Sequence, residues 1–230
     1  PGYYMAKLII NLANDVARVV NHDPAMQDRL KVVFVPNYNV SVAEKMIPAT
    51  DISQHISTAG TEASGTGNMK FILNGALILG TMDGANIEIA EEVGAENIFT
   101  FGMSSDEVSS LAKSGYNPRV SYQNNPELRE VLSMINTGYF NRDKPHLYND
   151  LYNSLVFEDK YMLLEDFASY VECQQRVIKT WQDPEKWTRM SILNTAASGK
   201  FSSDRTIAEY ARDIWKLKPV TVELPGKKVR

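Results

Sequence analysis

The feature that most limits the fold is a repeated order in the chain, an amphipathic helix followed by a short apolar run. Apolar residues recur at helical spacing over 6–20, and the apolar-rich run at 31–35 is typical of a buried strand. A second cycle follows, with a helix expected over 64–74 and strands at 77–79 and 98–101. This alternation is typical of a parallel α/β sheet, and the wide first stripe predicts a helix buried over much of its surface. We therefore predict an α/β fold.

The second half of the chain is predicted to be mainly helical. Ser104 and Glu107 form a capping box, and Gly115 is expected to end that helix. Asn125 is an N-cap candidate, and Pro126 takes the first helical position after it. Three further helices are expected over 167–181, from Asp183 to about residue 199, and over 207–215.

Composition and charge exclude several kinds of function. The 230 residues are 43% hydrophobic and 23% charged, and the formal net charge of −4 argues against binding to nucleic acid. No run of about 18 apolar residues is present and the first residues lack the order of a signal peptide, so no membrane span is expected. Cys173 is the single cysteine, expected to serve packing, and a reducing compartment such as the cytoplasm fits best. His22, His55 and His146 share no ligand spacing, so we expect no metal site.

One glycine-rich segment, residues 62–70 with the sequence EASGTGNMK, carries most of the chemical signal. Its two glycines let the backbone come close to a ligand. Ser64 and Thr66 are both N-cap residue types, and the helical period starts just after them. Capping the helix could therefore be the whole role of Ser64. The start of a helix presents unpaired N–H groups that bind phosphate, and Lys70 would lie about one turn inside.

Common phosphate-binding motifs do not fit this segment. A Walker A motif requires Gly-Lys-Ser/Thr after four spacers, and the dinucleotide fingerprint requires a small residue where Lys70 stands. A phosphate cradle with a lysine one turn away does suit a phosphorylated aldehyde cofactor, whose aldehyde reacts with the amine. The ordinary alternative is a glycine-rich helix start followed by a solvated lysine.

The glycine-rich segment and its surroundings resemble the α-glucan (glycogen or starch) phosphorylase family. Four blocks carry the resemblance in the family's order: Asn37 to Lys45, Ile56 to Lys70, Gly80 to Asn86, and Ser198 to Ile207. The resemblance extends from Pro1 to about Lys216. Blocks of this length and number are specific to the family.

The resemblance implies an architecture and an activity. The family has a two-domain glycosyltransferase fold of the GT-B type, and the chain is expected to be part of its C-terminal Rossmann-like half. The implied division is a partial Rossmann-like α/β region over 1–118, a mainly helical region of the same domain over 119–216, and a frayed tail over 217–230. Family enzymes use inorganic phosphate to cleave terminal α-1,4 bonds of a glucan and release glucose 1-phosphate. The phosphate of their pyridoxal 5'-phosphate acts as proton donor and acceptor.

The resemblance also assigns roles to single residues. Lys70 is implied to be the catalytic lysine that holds pyridoxal 5'-phosphate as a Schiff base. Thr66 and Gly67 match positions that bind the cofactor phosphate, and Tyr38 matches one that lies against the cofactor ring. Tyr38 could otherwise be an ordinary half-buried tyrosine. The positions that hold the glucosyl unit match Glu62, Ala63, Ser64 and Gly65. Asp83-Gly84 is typical of a turn and receives no catalytic role.

Two departures from the family pattern are expected to matter. Asn39 stands where muscle-type members carry arginine, so one basic contact near the cofactor phosphate is expected to be absent. Family chains are also much longer, so the chain resembles a cofactor-bearing C-terminal fragment, inactive without the N-terminal portion of the same polypeptide. The expected partners are that portion, an α-1,4-glucan, inorganic phosphate and glucose 1-phosphate, with a homodimer for the full-length protein.

Three other functions stay open on sequence grounds. The main alternative is a glycosyltransferase of the same fold that uses a nucleotide sugar and no pyridoxal phosphate. A second is a non-catalytic piece that only packs against its other half. The third is an aminotransferase-like enzyme, which would require an aspartate against the pyridine nitrogen, and no local motif supplies one.

Overall fold

The computed structural model describes residues 2–27, 29–218 and 220. Three strands and eleven α-helices are defined in this part of the chain. The strands are β1 (Ile52–His55), β2 (Leu77–Thr81) and β3 (Phe99–Phe101). The helices are α1 (Tyr4–His22), α2 (Val40–Met46), α3 (Gly67–Leu73), α4 (Asn86–Val93), α5 (Ser105–Ser114), α6 (Pro118–Asn124), α7 (Pro126–Asn136), α8 (Asn149–Asn153), α9 (Leu163–Trp181), α10 (Pro184–Ala197) and α11 (Ser203–Glu209). Helices α8 and α11 each continue into a π-helical turn, Ser154–Glu158 and Tyr210–Ile214 respectively.

The three strands form a parallel sheet in the order β1-β2-β3. Strands β2 and β3 lie where the apolar runs predict them, which confirms the α/β class. Strand β1 was not predicted, because its sequence, Ile-Ser-Gln-His, has only one strongly apolar residue. It pairs with β2 from Ile52 opposite Leu77 to His55 opposite Gly80. All carboxyl ends of parallel strands meet at one edge of the sheet, and loops after β1 and β2 leave from that edge.

The two faces of β2 point into two separate clusters of apolar side chains, as strand alternation requires. Leu77 and Leu79 pack with β3 and with Cys173, Trp187 and Met190 of the long helices α9 and α10. Ile78 points the other way, into a cluster that contains Ile72, Ile89, Val93 and Ile98. Cys173 is fully buried in the first cluster, so its predicted packing role is confirmed.

The strand predicted over 31–35 is wrong. These residues form an irregular segment, and Val33 and Phe34 are 63% and 46% exposed. The amide of Val32 donates to the side-chain oxygen of Asn21, and the Asn21 amide donates back to the Val32 carbonyl, at 2.9 and 2.8 Å. A strand requires a neighbouring strand to take these backbone groups, and here a helix-end asparagine takes them instead.

The prediction that the first helix is buried over much of its surface is also wrong. In α1 only one side is covered: Leu8 is 3% exposed, whereas Ile9 and Ile10 are 56% and 42% exposed. The covered side packs on α8, where Leu8 meets Tyr148 and Leu151. Because one neighbouring element covers one face, the wide apolar stripe of α1 is left partly uncovered.

Among the helices after β3, α5, α7 and α10 begin and end close to the predicted residues, whereas α9 and α11 begin four residues before the predicted stripes at 167 and 207. Helices α6 and α8 were not predicted. Ser104 and Glu107 form the capping box of α5, and Gly115 ends that helix with a left-handed backbone. Asn125 caps α7 and Asp183 caps α10, each with proline at the first position. No helix in the described residues is long and apolar enough to cross a membrane. Within the predicted tail 217–230, residues 219 and 221–230 lie outside the described part.

Candidate active site

The predicted sugar-binding residues lie on a loop at the carboxyl edge of the sheet. This loop, residues 56–66, connects β1 to α3 and borders a small cavity of about 190 Å³. The cavity is lined by His55, Ile56, Ser57, Glu62, Ser64, Gly65, Asn68, Asp83 and Asn86. Three of the four predicted sugar contacts therefore meet at one place, and the fourth, Ala63, lies between them in the chain but outside the lining.

Asp83, which follows β2, organises this loop. Its carboxylate accepts three hydrogen bonds, from the Ser57 hydroxyl at 2.7 Å, the Gly60 amide at 2.8 Å and the Glu62 amide at 2.9 Å. Burial by itself would raise the pKa of Asp83, but these donors and the Gly84 amide outweigh it and hold the pKa below its ordinary value. Asp83 is therefore a buried, ionised acceptor for loop backbone.

The turn after Asp83 holds the far end of the same loop. The Ala85 amide donates to the Ser64 carbonyl at 2.6 Å. Gly84 has φ of +51°, and a Cβ at that position would lie 2.5 Å from the Ser64 carbonyl oxygen. Glycine is therefore required there, both for the backbone conformation and for the close approach of the two chains.

A buried pair of asparagines ties α3 to α4 beneath the cavity. The Asn68 amide donates to the Asn86 side-chain oxygen at 3.0 Å, and the Asn86 amide donates to the Thr81 carbonyl at 2.9 Å. Gly80 makes this arrangement possible, because a Cβ there would lie 2.5 Å from the Asn86 amide nitrogen. The pair fixes the start of α3 relative to the end of β2.

The predicted phosphate cradle forms the first turn of α3, which begins later than predicted, at Gly67. Thr66 is the N-cap, and its side chain makes no capping hydrogen bond. Ser64 is not a cap, since its hydroxyl donates to the Gly65 carbonyl at 3.0 Å, so the capping interpretation of Ser64 is wrong. The amides of Thr66 and Gly67 have no hydrogen-bond partner among the described residues.

Lys70 lies on the exposed surface of α3, one turn after Thr66. Its amide faces the Thr66 carbonyl at 3.4 Å, as the helix requires. Within residues 2–27, 29–218 and 220, the Lys70 amine forms no salt bridge. The amine is therefore not engaged by a carboxylate in the described part of the chain.

His55 lies at the end of β1, below the start of α3. Its Nε2 lies 2.9 Å from the Ser53 hydroxyl, and its Cε1 would be 3.3 Å from a Cβ added at Gly67. Burial lowers the pKa of His55, which favours the neutral ring. A larger residue at Gly67 would press against this imidazole.

Tyr38 is separate from this cavity. Its side chain is 61% exposed, in the segment before α2, and it does not line the cavity. The next residue, Asn39, caps α2 by accepting a hydrogen bond from the Val42 amide at 3.2 Å. Within the described ranges, no group of three or more metal-ligating side chains comes together.

Asp83 is the site residue that sequence reasoning missed. The Asp-Gly pair was interpreted as a simple turn, whereas its carboxylate reaches residues 21 to 26 positions earlier in the chain. Its position is the signal that could have identified it: a polar residue two positions after a fully buried strand lies at the carboxyl edge, where ligands bind in α/β sheets.

Comparison with known proteins places this site in a family. The family model of carbohydrate phosphorylases matches residues 1–217. The chain is 55% identical over 226 residues to the muscle form of glycogen phosphorylase from Homo sapiens and to that from Oryctolagus cuniculus, and 54% identical over 225 residues to the brain form from Homo sapiens. These alignments cover 98% of the chain but only 27% of each relative. The chain belongs to the carbohydrate phosphorylase family.

Proposed function

We propose that the chain is the cofactor-bearing part of a glycogen phosphorylase, an enzyme that transfers the terminal glucosyl unit of an α-1,4-glucan to inorganic phosphate. The observation that carries the proposal is the succession of two sites on one short stretch. The Glu62–Gly65 loop borders a cavity, and the exposed Lys70 follows one turn after a helix start whose first amides have no partner in the described part of the chain. The relatives are named glycogen phosphorylases, and the chain spans about a quarter of their length.

The residues present fit pyridoxal 5'-phosphate. The amides of Thr66 and Gly67 and the Thr66 hydroxyl have no hydrogen-bond partner within the described ranges, and such donors suit a phosphate group. Gly65, with φ of +75°, allows the backbone turn that leads into them. Lys70 would hold the cofactor covalently, and Tyr38 would lie against its ring. The bound cofactor supplies a phosphate that donates and accepts a proton beside the substrate phosphate.

The loop residues would bind the glucosyl unit. The Glu62 carboxylate is exposed to the cavity and accepts one weak hydrogen bond, from the Ser64 amide at 3.4 Å. It therefore keeps acceptor capacity for a sugar hydroxyl, which donates a stronger bond to a charged oxygen than to a neutral one. Ala63, Ser64 and Gly65 would offer backbone amides beside it. Their role is to fix the position of the sugar relative to the phosphates.

The finer architecture is part of the same proposal. We assign residues 1–118 to a partial Rossmann-like region and 119–216 to a helical region of the same domain, within the C-terminal half of a GT-B fold. All three strands lie before residue 102, and the described residues after it form helices, which supports this division. A cytoplasmic homodimer is the proposed form of the full-length enzyme.

The attachment of the cofactor is tested on the chain itself. Purified chain is incubated with pyridoxal 5'-phosphate, reduced with borohydride and mapped by peptide mass spectrometry, with Lys70→Ala and the exposed Lys45→Ala as matched variants. A pyridoxyl label on Lys70 that disappears in Lys70→Ala but persists in Lys45→Ala is the expected result. A label on another lysine would refute the assignment. Absence of any label would favour the nucleotide-sugar transferase.

The reaction requires a full-length test protein, made by replacing the matching 226 residues of the human muscle relative with this chain. We expect it to release glucose 1-phosphate from glycogen only when inorganic phosphate is present. Release of free glucose, or use of a nucleotide sugar as donor, would contradict the proposed reaction.

A further inference from the structure

We infer that Asp83 is a positioning residue for the sugar-binding loop, holding the Glu62 backbone where its carboxylate meets the substrate. The inference rests on the proposed function of that loop. Asp83 itself is 5% exposed and is occupied by donors from the chain, so it acts through Glu62 rather than on the sugar.

The hydrogen bonds of Asp83 hold the loop from the inside. One carboxylate oxygen accepts from the Ser57 hydroxyl and the Glu62 amide, and the other accepts from the Gly60 amide. The Gly60 amide belongs to the turn 58–61, and Glu62 is the first residue of the cavity-lining stretch that follows it. An acceptor-only group is required, because every partner of Asp83 in this set is a donor.

The turn that carries Asp83 adds a second attachment. The Ala85 amide holds the Ser64 carbonyl at 2.6 Å, and the Glu62 Cγ would lie 3.1 Å from a Cβ at Gly84. The stretch from Gly60 to Ser64 is thus held near its start by Asp83 and at its end by Ala85 of the same turn. Among the described residues, the Glu62 side chain makes one weak hydrogen bond, from the Ser64 amide, so its position depends on this backbone support.

The substitution Asp83→Asn tests the inference. An amide keeps one acceptor oxygen but sets its NH₂ group against an N–H donor of the loop, which releases that part of the turn. Asp15→Asn is the matched control, because Asp15 likewise accepts from one hydroxyl, that of Tyr148, and from two N–H groups, those of Asn141 and Arg18. None of these bonds involves residues 56–66.

In the full-length test protein, Asp83→Asn should lower kcat/KM for glycogen by about tenfold or more, as the loss of a hydrogen bond to a charged group predicts. The label on Lys70 should stay at the level of the unsubstituted protein. Gly84→Ala should change kinetics in the same direction, because its Cβ displaces Ser64. Asp15→Asn should lose stability but keep its kcat/KM. Unchanged kinetics in folded Asp83→Asn, or an equal loss of kcat/KM in Asp15→Asn, would overturn the inference.

A readout without catalysis separates this inference from the proposed function. In the chain itself, amide hydrogen exchange at Gly60 and Glu62 should accelerate about tenfold or more in Asp83→Asn, while exchange at Ile78 in the core strand stays unchanged. An inactive test protein with this local acceleration would contradict the proposed reaction and leave the positioning role of Asp83 supported. Unaltered exchange at Gly60 and Glu62 would contradict the positioning role whatever the activity.

Discussion

Asn68 donates a hydrogen bond to Asn86 at 3.0 Å, with both side chains buried between the first turns of α3 and α4. Asn86 also donates to the Thr81 carbonyl, so one side chain connects two helices and the end of β2. The helix that carries Lys70 has only seven residues. Its position therefore depends on this contact with α4 and β2.

We expect Asn86→Ala to destabilise the fold by about 1–3 kcal/mol for each buried polar group left without a partner. One such group results, the side-chain amide of Asn68, because the Thr81 carbonyl still accepts from the Asp83 amide at 2.9 Å. Urea unfolding measures the change. Asn14→Ala on the exposed side of α1 is the control, since its side chain makes only a local bond to the Ile10 carbonyl. A smaller loss for Asn86→Ala than for Asn14→Ala would contradict the structural role.

Glu62→Gln should affect the sugar and leave the cofactor in place. Replacing the charged acceptor by a neutral one should weaken transition-state binding by about 1.5–3 kcal/mol. Steady-state kinetics with glycogen in the full-length test protein give this value, and borohydride labelling of Lys70 reports the cofactor. Glu130→Gln, on the exposed surface of α7, is the matched control and should change neither. Loss of the label in Glu62→Gln would instead place Glu62 at the cofactor.

The attachment of α1 should weaken in acid. Burial alone would raise the pKa of Asp15, but hydrogen bonds from Tyr148, Asn141 and Arg18 outweigh it and lower the pKa below its ordinary value. The carboxylate therefore stabilises the fold above the pKa of the unfolded chain, and this contribution is lost as the pH falls below about 4 and through the lower folded pKa.

Asp15→Asn should accordingly cost more stability at pH 7 than at pH 3. Urea unfolding at the two pH values gives the comparison, and Asp143→Asn, at an exposed loop position, is the control. An equal cost of Asp15→Asn at both pH values would show that the charge of Asp15 does not stabilise α1.

The isolated chain should not catalyse phosphorolysis. The described residues leave large apolar side chains of α1 and of the segment after it exposed, among them Tyr3, Ile9, Val33 and Phe34. Exposed apolar area of this kind is typical of a surface that packs against further protein. The cavity at Glu62 is open to solvent, so water can reach a substrate bound there. Glucose 1-phosphate release from glycogen by purified chain with pyridoxal 5'-phosphate measures the activity. Turnover close to that of the full-length test protein would be contrary to this expectation.

The central and third strands and the capped helices could be predicted because their signals are local. Strand β2 is a continuous apolar run, and the ends of α5 are marked by Ser104, Glu107 and Gly115 within the sequence itself. Strand β1 could not be predicted, because Ile52–His55 becomes a strand only through pairing with β2. The strand predicted at residues 31–35 is wrong for the opposite reason. An apolar run that has no neighbouring strand to pair with remains irregular.

The candidate site also has one part that could be predicted from the sequence and one that could not. The stretch from Glu62 to Lys70 has glycines and a lysine at a spacing that can be interpreted from the sequence. The role of Asp83 could not be predicted from the sequence. Its carboxylate accepts from backbone amides, which every residue except proline has, so its partners carry no recognisable side-chain pattern. The position of Tyr38 relative to the cofactor stays a prediction.

The hydrogen bonds that frame the cavity join residues close together in the chain. The contacts of Asp83 and the hydrogen bond within the asparagine pair span 18 to 26 positions, whereas those that attach α1 to the helical region span 122 to 146. Closing a short loop costs less chain entropy and occurs earlier than closing a long one. During synthesis or refolding, the bonds from Asp83 to residues 57–62 can therefore form before the terminal helices have packed.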